Sequence, residues 1–229
     1  MHTSDDDIIQ AFRKQLYQKE YPCIAAHHAA LKNQVFCMVA MHMGCPADDQ
    51  RILDFLYGFI DTLHKAEDEF NSAVVLFRQP VTLSEDEFEQ YFWRRLQSLA
   101  DVDAKQYNYD QRVSADITSP QFSFSLKEEA FYIIGLHPSN ARPARRFEYP
   151  AMVFNAHAQF EKLRQQGHYT RMQQVVRKRD LQYSGSVNPM LADFGEISEI
   201  YQYTGKQYDQ QWQCPLVIPH ASAKNNSSS

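Results

Sequence analysis

The stretch FSFSLKEEAFYIIGL, residues 122–136, decides the fold. Phe122, Phe124 and Leu126 alternate with Ser123 and Ser125, the period of two expected of a half-buried strand. Lys127-Glu128-Glu129 reads as a turn, and Phe131–Leu136 is an apolar run on its far side. Together they predict an antiparallel hairpin.

Downstream, Met152–Phe154 reads as a short strand feeding a helix from Asn155 to about Gln166, and Tyr169–Arg179 as a second helix. Upstream, residues 33–41 (NQVFCMVAM) form a nearly continuous apolar run, predicting a strand buried on both faces. The segment Cys23–Ala29 is expected to pair with it across the Lys32-Asn33 turn, which would put His27 and His28 on opposite sides of a strand. Ser72–Phe77 is a further strand. Residues 5–19 predict a helix with Asp5–Asp7 at its positive end. Residues 47–65 give the clearest helix, with Ile52, Phe55, Leu56, Phe59, Ile60 and Leu63 on one face. Ser84 and Glu87 form a capping-box pattern before a stripe of Phe88, Phe92, Leu96 and Leu99. From Gln182 the pattern is irregular, and Ala221–Ser229 reads as a disordered polar tail. The expectation is one α+β domain over residues 1–220: a mixed or antiparallel sheet with hairpins, packed against several helices.

The 229 residues are 44% hydrophobic, enough for one sizeable core and too apolar for a disordered chain. The formal charge of −5 argues against nucleic acid as a partner. The start, MHTSDDDIIQ, shows no secretory signal, and no apolar run approaches the roughly 20 residues a membrane helix needs. Cys23, Cys37, Cys45 and Cys214 form no CxxC pair, so free thiols in the cytoplasm are expected. Phosphate-loop, dinucleotide, HExxH and GxSxG motifs are absent. The 13% aromatic content predicts a Phe/Tyr-rich core, with Phe122, Phe124, Phe131, Tyr132, Phe147, Phe154 and Trp212 set apart as candidate pocket walls.

Four segments can carry chemistry. His137 ends an apolar strand before Pro138, and Arg142, Arg145 and Arg146 follow, their guanidinium forks suited to carboxylates. His157 follows Asn155, a candidate N-cap, where a strand becomes a helix. Cys214-Pro215 holds a thiol in a fixed, non-helical chain. Gly185–Leu191 offers Ser186 and Asn188 for hydrogen bonds. Each also has an ordinary structural reading, as a hydrogen-bonded histidine, a solvated charge run, a small buried hydrophobe or a turn.

In order, YPC (21–23), ADD (47–49), RVSADITSPQFSFSL (112–126), EAFYIIGLHP (129–138), RPARRF (142–147), VFNAHAQFEKLR (153–164), SGSVNPML (184–191), the Glu199–Tyr203 stretch and WQCP (212–215) resemble the bacterial YqcI/YcgG family over residues 20–217. Two positions depart from the family's usual pattern: Leu216 stands where Cys-Pro-Phe is customary, and Tyr21 where Phe-Pro-Cys is.

The resemblance implies haem b and a haem-dependent monooxygenase that N-hydroxylates a guanidine group of arginine or a related small molecule, drawing on an electron donor. The alternative is a haem-binding gas or redox sensor without turnover. On that reading Cys214 is the first choice of axial ligand and Cys23 the second, with His137 or His157 competing. Arg142, Arg145 and Arg146 would hold the propionates, and Phe147 and Trp212 would flank the macrocycle. Asp116, Glu196 and Glu199 are candidate partners for a cationic substrate, with Asn188 and Ser186 at its other end. Asn188 and Glu199 are the catalytic candidates.

Overall fold

The computed structural model describes residues 3–65, 70–188, 190, 192, 194–209 and 211–220. The tail expected at 221–229 lies outside the described residues. Five strands form one open mixed sheet: β1 (Val35–His42), β2 (Ser72–Gln79), β3 (Phe124–Leu126), β4 (Glu129–Leu136) and β5 (Ala151–Ala156), in the order β1-β2-β5-β4-β3. β1 and β2 are parallel, and the other neighbours are antiparallel. Seven α-helices surround the sheet among the described residues: α1 (Asp5–Leu16), α2 (Ile24–Leu31), α3 (Asp49–Leu63), α4 (Glu85–Asp103), α5 (His157–Gln165), α6 (Tyr169–Ser184) and α7 (Ile200–Tyr203). The parallel pair follows from α3, because a parallel connection needs a crossover element.

The predicted hairpin is present, with Leu126 opposite Glu129 and a two-residue turn. Lys127 and Glu128 both have positive φ, 47° and 61°, the backbone of a turn that usually recruits Asn-Gly. Tertiary contacts hold it instead: the Lys127 N–H donates to Asp103 Oδ1 at 3.0 Å and its Nζ to Asp61 Oδ1 at 2.7 Å.

Strand alternation separates two cores. Ala73, Val75 and Phe77 of β2 join α3 and α4 on one face, with Phe131, Ile133, Met152 and Phe154. Val74 and Leu76 point the other way, toward α1 and α2. α4 begins with the expected capping box on Ser84 and Glu87, and its four-residue stripe is fully buried. Gly135 lets α4 approach β4: a Cβ there would lie 2.9 Å from Phe88 and 3.1 Å from Phe92.

Four local expectations are corrected. Cys23–Ala29 is not a strand; the alanine-rich run IAAHHAAL makes α2, and Cys23 caps it, Sγ accepting from the Ala26 N–H at 3.4 Å. His27 and His28 therefore stand on a helix. Residues 122–126 are buried on both sides, because Ser123 and Ser125 are taken up by internal hydrogen bonds. β1 is an edge strand, with Met41 exposed. Asn155 is no N-cap: β5 continues to Ala156, and its amide bonds across the sheet.

Candidate functional site

A cavity of about 250 Å³ lies on the α1/α2 face of the sheet. Its floor is a row of three residues in register across β2, β5 and β4: Ser72, Asn155 and Tyr132. The row is chained by hydrogen bonds. Ser72 Oγ donates to Asn155 Oδ1 at 2.7 Å, and Asn155 Nδ2 to the Tyr132 carbonyl at 3.3 Å. The Tyr132 hydroxyl then donates to Gln202 Oε1 at 3.0 Å. α5, α6, α7, the start of α2 and the segment 142–145 build the walls.

β5 runs into α5 without a loop, which carries His157 from the strand end into the cavity. The imidazole is 6% exposed, with Nε2 3.3 Å from Glu161 Oε1 and Nδ1 3.9 Å from Glu199 Oε1. Burial, above all, lowers its pKa and keeps the ring neutral, so a nitrogen lone pair is available. Glu199 Oε2 accepts from Ser123 Oγ at 3.0 Å and from the Tyr203 hydroxyl at 3.2 Å. Burial pushes this carboxyl up to about 8, so it is mostly protonated at neutral pH. Cys23 faces the same cavity, and burial raises its thiol as well.

Three guanidinium groups line the walls. Arg142 donates to Asp180 Oδ2 at 2.6 Å and to the Ser186 carbonyl at 2.8 Å. Arg145 donates to the carbonyls of Gln202 (3.0 Å), Tyr203 (3.3 Å) and Gly135 (3.4 Å). Arg164 pairs with Glu161 and lies 4.4 Å from the Tyr169 ring centroid. Against these cations stand Asp180 and the mostly neutral Glu199, so the lining is net positive.

The cavity thus gathers six of the sequence-predicted residues: Cys23, Arg142, Arg145, His157, Asn188 and Glu199. The others lie elsewhere. His137 is fully buried and stacked on Phe88 at 4.2 Å, with Nε2 accepting from Asn140 Nδ2 at 3.0 Å. Arg146 donates to the Asn140 and Ala141 carbonyls, and Phe147 packs edge-on against Phe12 at 5.3 Å. Trp212 stacks on Tyr208 at 3.7 Å and donates to Glu89 Oε1 at 3.0 Å. Cys214 packs against the α4-side core, and burial pushes its thiol up to about 12. Asp116 is exposed and bonded to Thr118, and Glu196 does not line the cavity.

Of the aromatics set apart as pocket walls, only Tyr132 reaches the cavity; Phe122, Phe124, Phe131 and Phe154 belong to the α4-side core. The aromatic walls are instead Tyr21, Phe70, Phe160, Tyr169 and Phe194. Tyr21, Arg164 and Gln202 carried no spacing signal, although all three lie inside the segments that resemble the family.

The lining includes the residue types that a haem would need. Haem iron needs an axial imidazole or thiolate, its propionates need cations, and its macrocycle needs apolar walls. The cavity offers His157 or Cys23, Arg142 and Arg145, and Ile134, Phe160, Met172 and Val176. Among the described residues no group of three or more His, Cys, Asp or Glu is arranged to hold a bare metal ion, and no helix is long and apolar enough to cross a membrane.

No solved structure matches the chain. A curated Bacillus subtilis (strain 168) protein, named "Uncharacterized protein YcgG", is 26% identical over 208 residues, covering 86% of this chain and 80% of the relative. The model of the YqcI/YcgG family matches residues 12–217, nearly the whole chain, and the protein therefore belongs to the YqcI/YcgG family.

Proposed function

We propose that the protein is a haem-dependent monooxygenase that N-hydroxylates the guanidine group of arginine or a related small molecule in the cytoplasm. The observation that carries it is the convergence of one buried imidazole, one thiol and two arginines, Arg142 and Arg145, on one cavity. On this reading His157 would hold the haem iron. The thiols of Cys23 and Cys214 are both held protonated by burial, and Cys214 does not line the cavity.

Haem, when bound, supplies oxygen activation. The chain does the rest. Arg142 and Arg145 would hold the haem propionates. Phe160, Phe194 and Met172 exclude water from the reacting face. Burial keeps a proton on the Glu199 carboxyl, whose position is fixed by the hydrogen bonds from Ser123 and Tyr203, and the carboxyl can release that proton toward the cavity. Asp180, paired with Arg142, is the ionised carboxylate of the lining that a cationic guanidine would meet.

The test is turnover. Haemin-loaded protein is given a reductant, oxygen and L-arginine, and the products are read by mass spectrometry. A product heavier by one oxygen, formed only by the loaded protein, supports the reading. Haem bound without any such product from arginine or its close guanidine analogues would replace it with the sensor alternative.

A further inference from the structure

Both tryptophans of the chain stand in one file of rings that runs from the protein surface to the cavity. Trp212 is partly exposed and stacks on Tyr208 at 3.7 Å. Its ring lies 5.9 Å from the buried Trp93 of α4, and Trp93 stacks on Tyr203 of α7 at 6.4 Å. Tyr203 lies 6.0 Å from Tyr132, which lines the cavity. Each step is an ordinary ring contact.

The composition of the file sets it apart from the rest of the core. The chain holds 15 Phe against 2 Trp, and phenylalanines pack alongside: Phe92 lies edge-on to Trp93 at 5.2 Å, and Phe122 is 6.4 Å from Tyr203. Phe would fill these positions with no polar atom to satisfy. Yet every ring of the file is an indole or a phenol, the aromatic side chains that give up a single electron most readily. The two ends also have places for a proton. Trp212 Nε1 donates to Glu89 Oε1 at 3.0 Å, so the indole proton can pass to a carboxylate as the ring is oxidised and return as it is reduced. The Tyr132 hydroxyl donates to Gln202 Oε1 at 3.0 Å, at the cavity wall.

We propose that Trp212, Trp93, Tyr203 and Tyr132 form an electron relay between the protein surface and the cavity. A one-electron oxidant held in the cavity takes an electron from Tyr132, whose hydroxyl proton leaves to solvent. Tyr203, Trp93 and Trp212 are then oxidised and re-reduced in turn, and a soluble reductant of the ascorbate class gives an electron to Trp212. Tyr132 recovers its electron and its proton, the intervening rings end unchanged, and the oxidant has gained one electron. The path works equally in reverse for an oxidant in solution, with Tyr132 ending as the phenoxyl radical. The relay is a property of the chain and does not require haem.

The reverse direction gives the test on the ligand-free protein. Azide radical, made by radiolysis of azide solutions, takes one electron from an accessible indole or phenol and becomes the azide ion. The protein is exposed to it with the spin trap 2-methyl-2-nitrosopropane present, and peptide mass spectrometry locates the trapped residues. The wild type should carry adducts at Trp212 and at Tyr132. Trp93→Phe cuts the relay in the middle, and Tyr203→Phe, which keeps the ring, cuts it beside the cavity. Both should keep the Trp212 adduct and lose most of the Tyr132 adduct. Should Trp93→Phe fail to fold, Tyr203→Phe decides alone. Tyr201→Phe, 5.4 Å from Trp212 but off the path, should change neither adduct. The proposal is overturned if Tyr132 is not modified in the wild type, or if either folded relay variant keeps the wild-type yield at Tyr132, which would mean that the radical reaches it through the cavity mouth. It is equally overturned if Tyr201→Phe loses the Tyr132 adduct, because disturbed packing near Trp212 would then explain every loss.

Discussion

Asp49, the last residue of the ADD motif, is a structural residue. It lies 6% exposed at the start of α3, accepts from Ser98, and pairs with Arg95, itself 2% exposed. Arg95 also donates to the Met43 carbonyl at 3.1 Å and the His42 carbonyl at 3.0 Å, tying α4 to the end of β1. Removing one member of a buried pair strands the other charge. Asp49→Ala is therefore expected to lower unfolding stability by about 3–5 kcal/mol in denaturant titration. A loss below about 1 kcal/mol would mean that the guanidinium is satisfied by its carbonyls alone.

His137 makes a pH prediction. Burial, with help from Arg145, depresses its pKa from 6.5 to about 4, so the fold prefers the neutral ring. As pH falls, the unfolded chain takes up this proton first. The contribution of His137 is complete above pH 6.5 and is lost as pH drops through the window down to about 4. His137→Phe, which keeps the stacking on Phe88, should be less stable at neutral pH because Asn140 loses its acceptor. Its stability should nonetheless fall less steeply than that of the wild type between those two values. Parallel curves would show that the imidazole does not titrate differently in the fold.

Residue by residue, the site was partly legible. His157, Cys23 and Glu199 were marked by the segments that hold them, and the cavity brings them together. The Cys-Pro signal led to Cys214, yet that thiol is absorbed by the core, as most buried cysteines are. Tyr21 and Arg164 lie in the same segments but were not singled out for the site, because a single side chain facing a cavity leaves no periodicity behind.

Among the elements, helices with an apolar stripe were the easiest to read. α1, α3 and α4 fall close to their predicted bounds, since a stripe of the 3.6-residue period has one good burial solution. α2 was misread because IAAHHAAL has no stripe, and only the helix preference of alanine distinguishes it. The hairpin was read correctly although its Lys127-Glu128 turn has the wrong chemistry, because alternation before the turn and an apolar run after it outweighed it.

α6 makes its own prediction. It has 16 residues, none of them buried, and positive-φ glycines flank it at Gly167 (72°) and Gly185 (76°). It is tied down by Arg142–Asp180 and by the Arg179 bonds to the Lys19 and Tyr21 carbonyls. Few buried contacts mean a low free energy of local opening. Amide exchange across α6 should be faster than in α3 or α4, and Asp180→Asn should speed it further without changing α4. Protection of α6 equal to that of α4 would show that the cavity wall opens only when the whole protein unfolds.

At the scale of the molecule, sheet composition was legible but strand order was not. Every strand was found, yet the placement of β5 between β2 and β4 depends on contacts far apart in sequence. That placement makes the site. It aligns Ser72, Asn155 and Tyr132 into one floor and swings His157 over it. The remaining claim is that this floor and its walls hold a haem through His157. Haemin titration of the wild type, His157→Ala, Cys23→Ala and Cys214→Ala proteins, followed by the Soret absorption, tests it most directly. The wild type and both cysteine variants should saturate near one equivalent with the same spectrum, and His157→Ala should lose that spectrum. A wild type that does not bind haemin saturably, or a spectrum lost in Cys214→Ala and kept in His157→Ala, would contradict it.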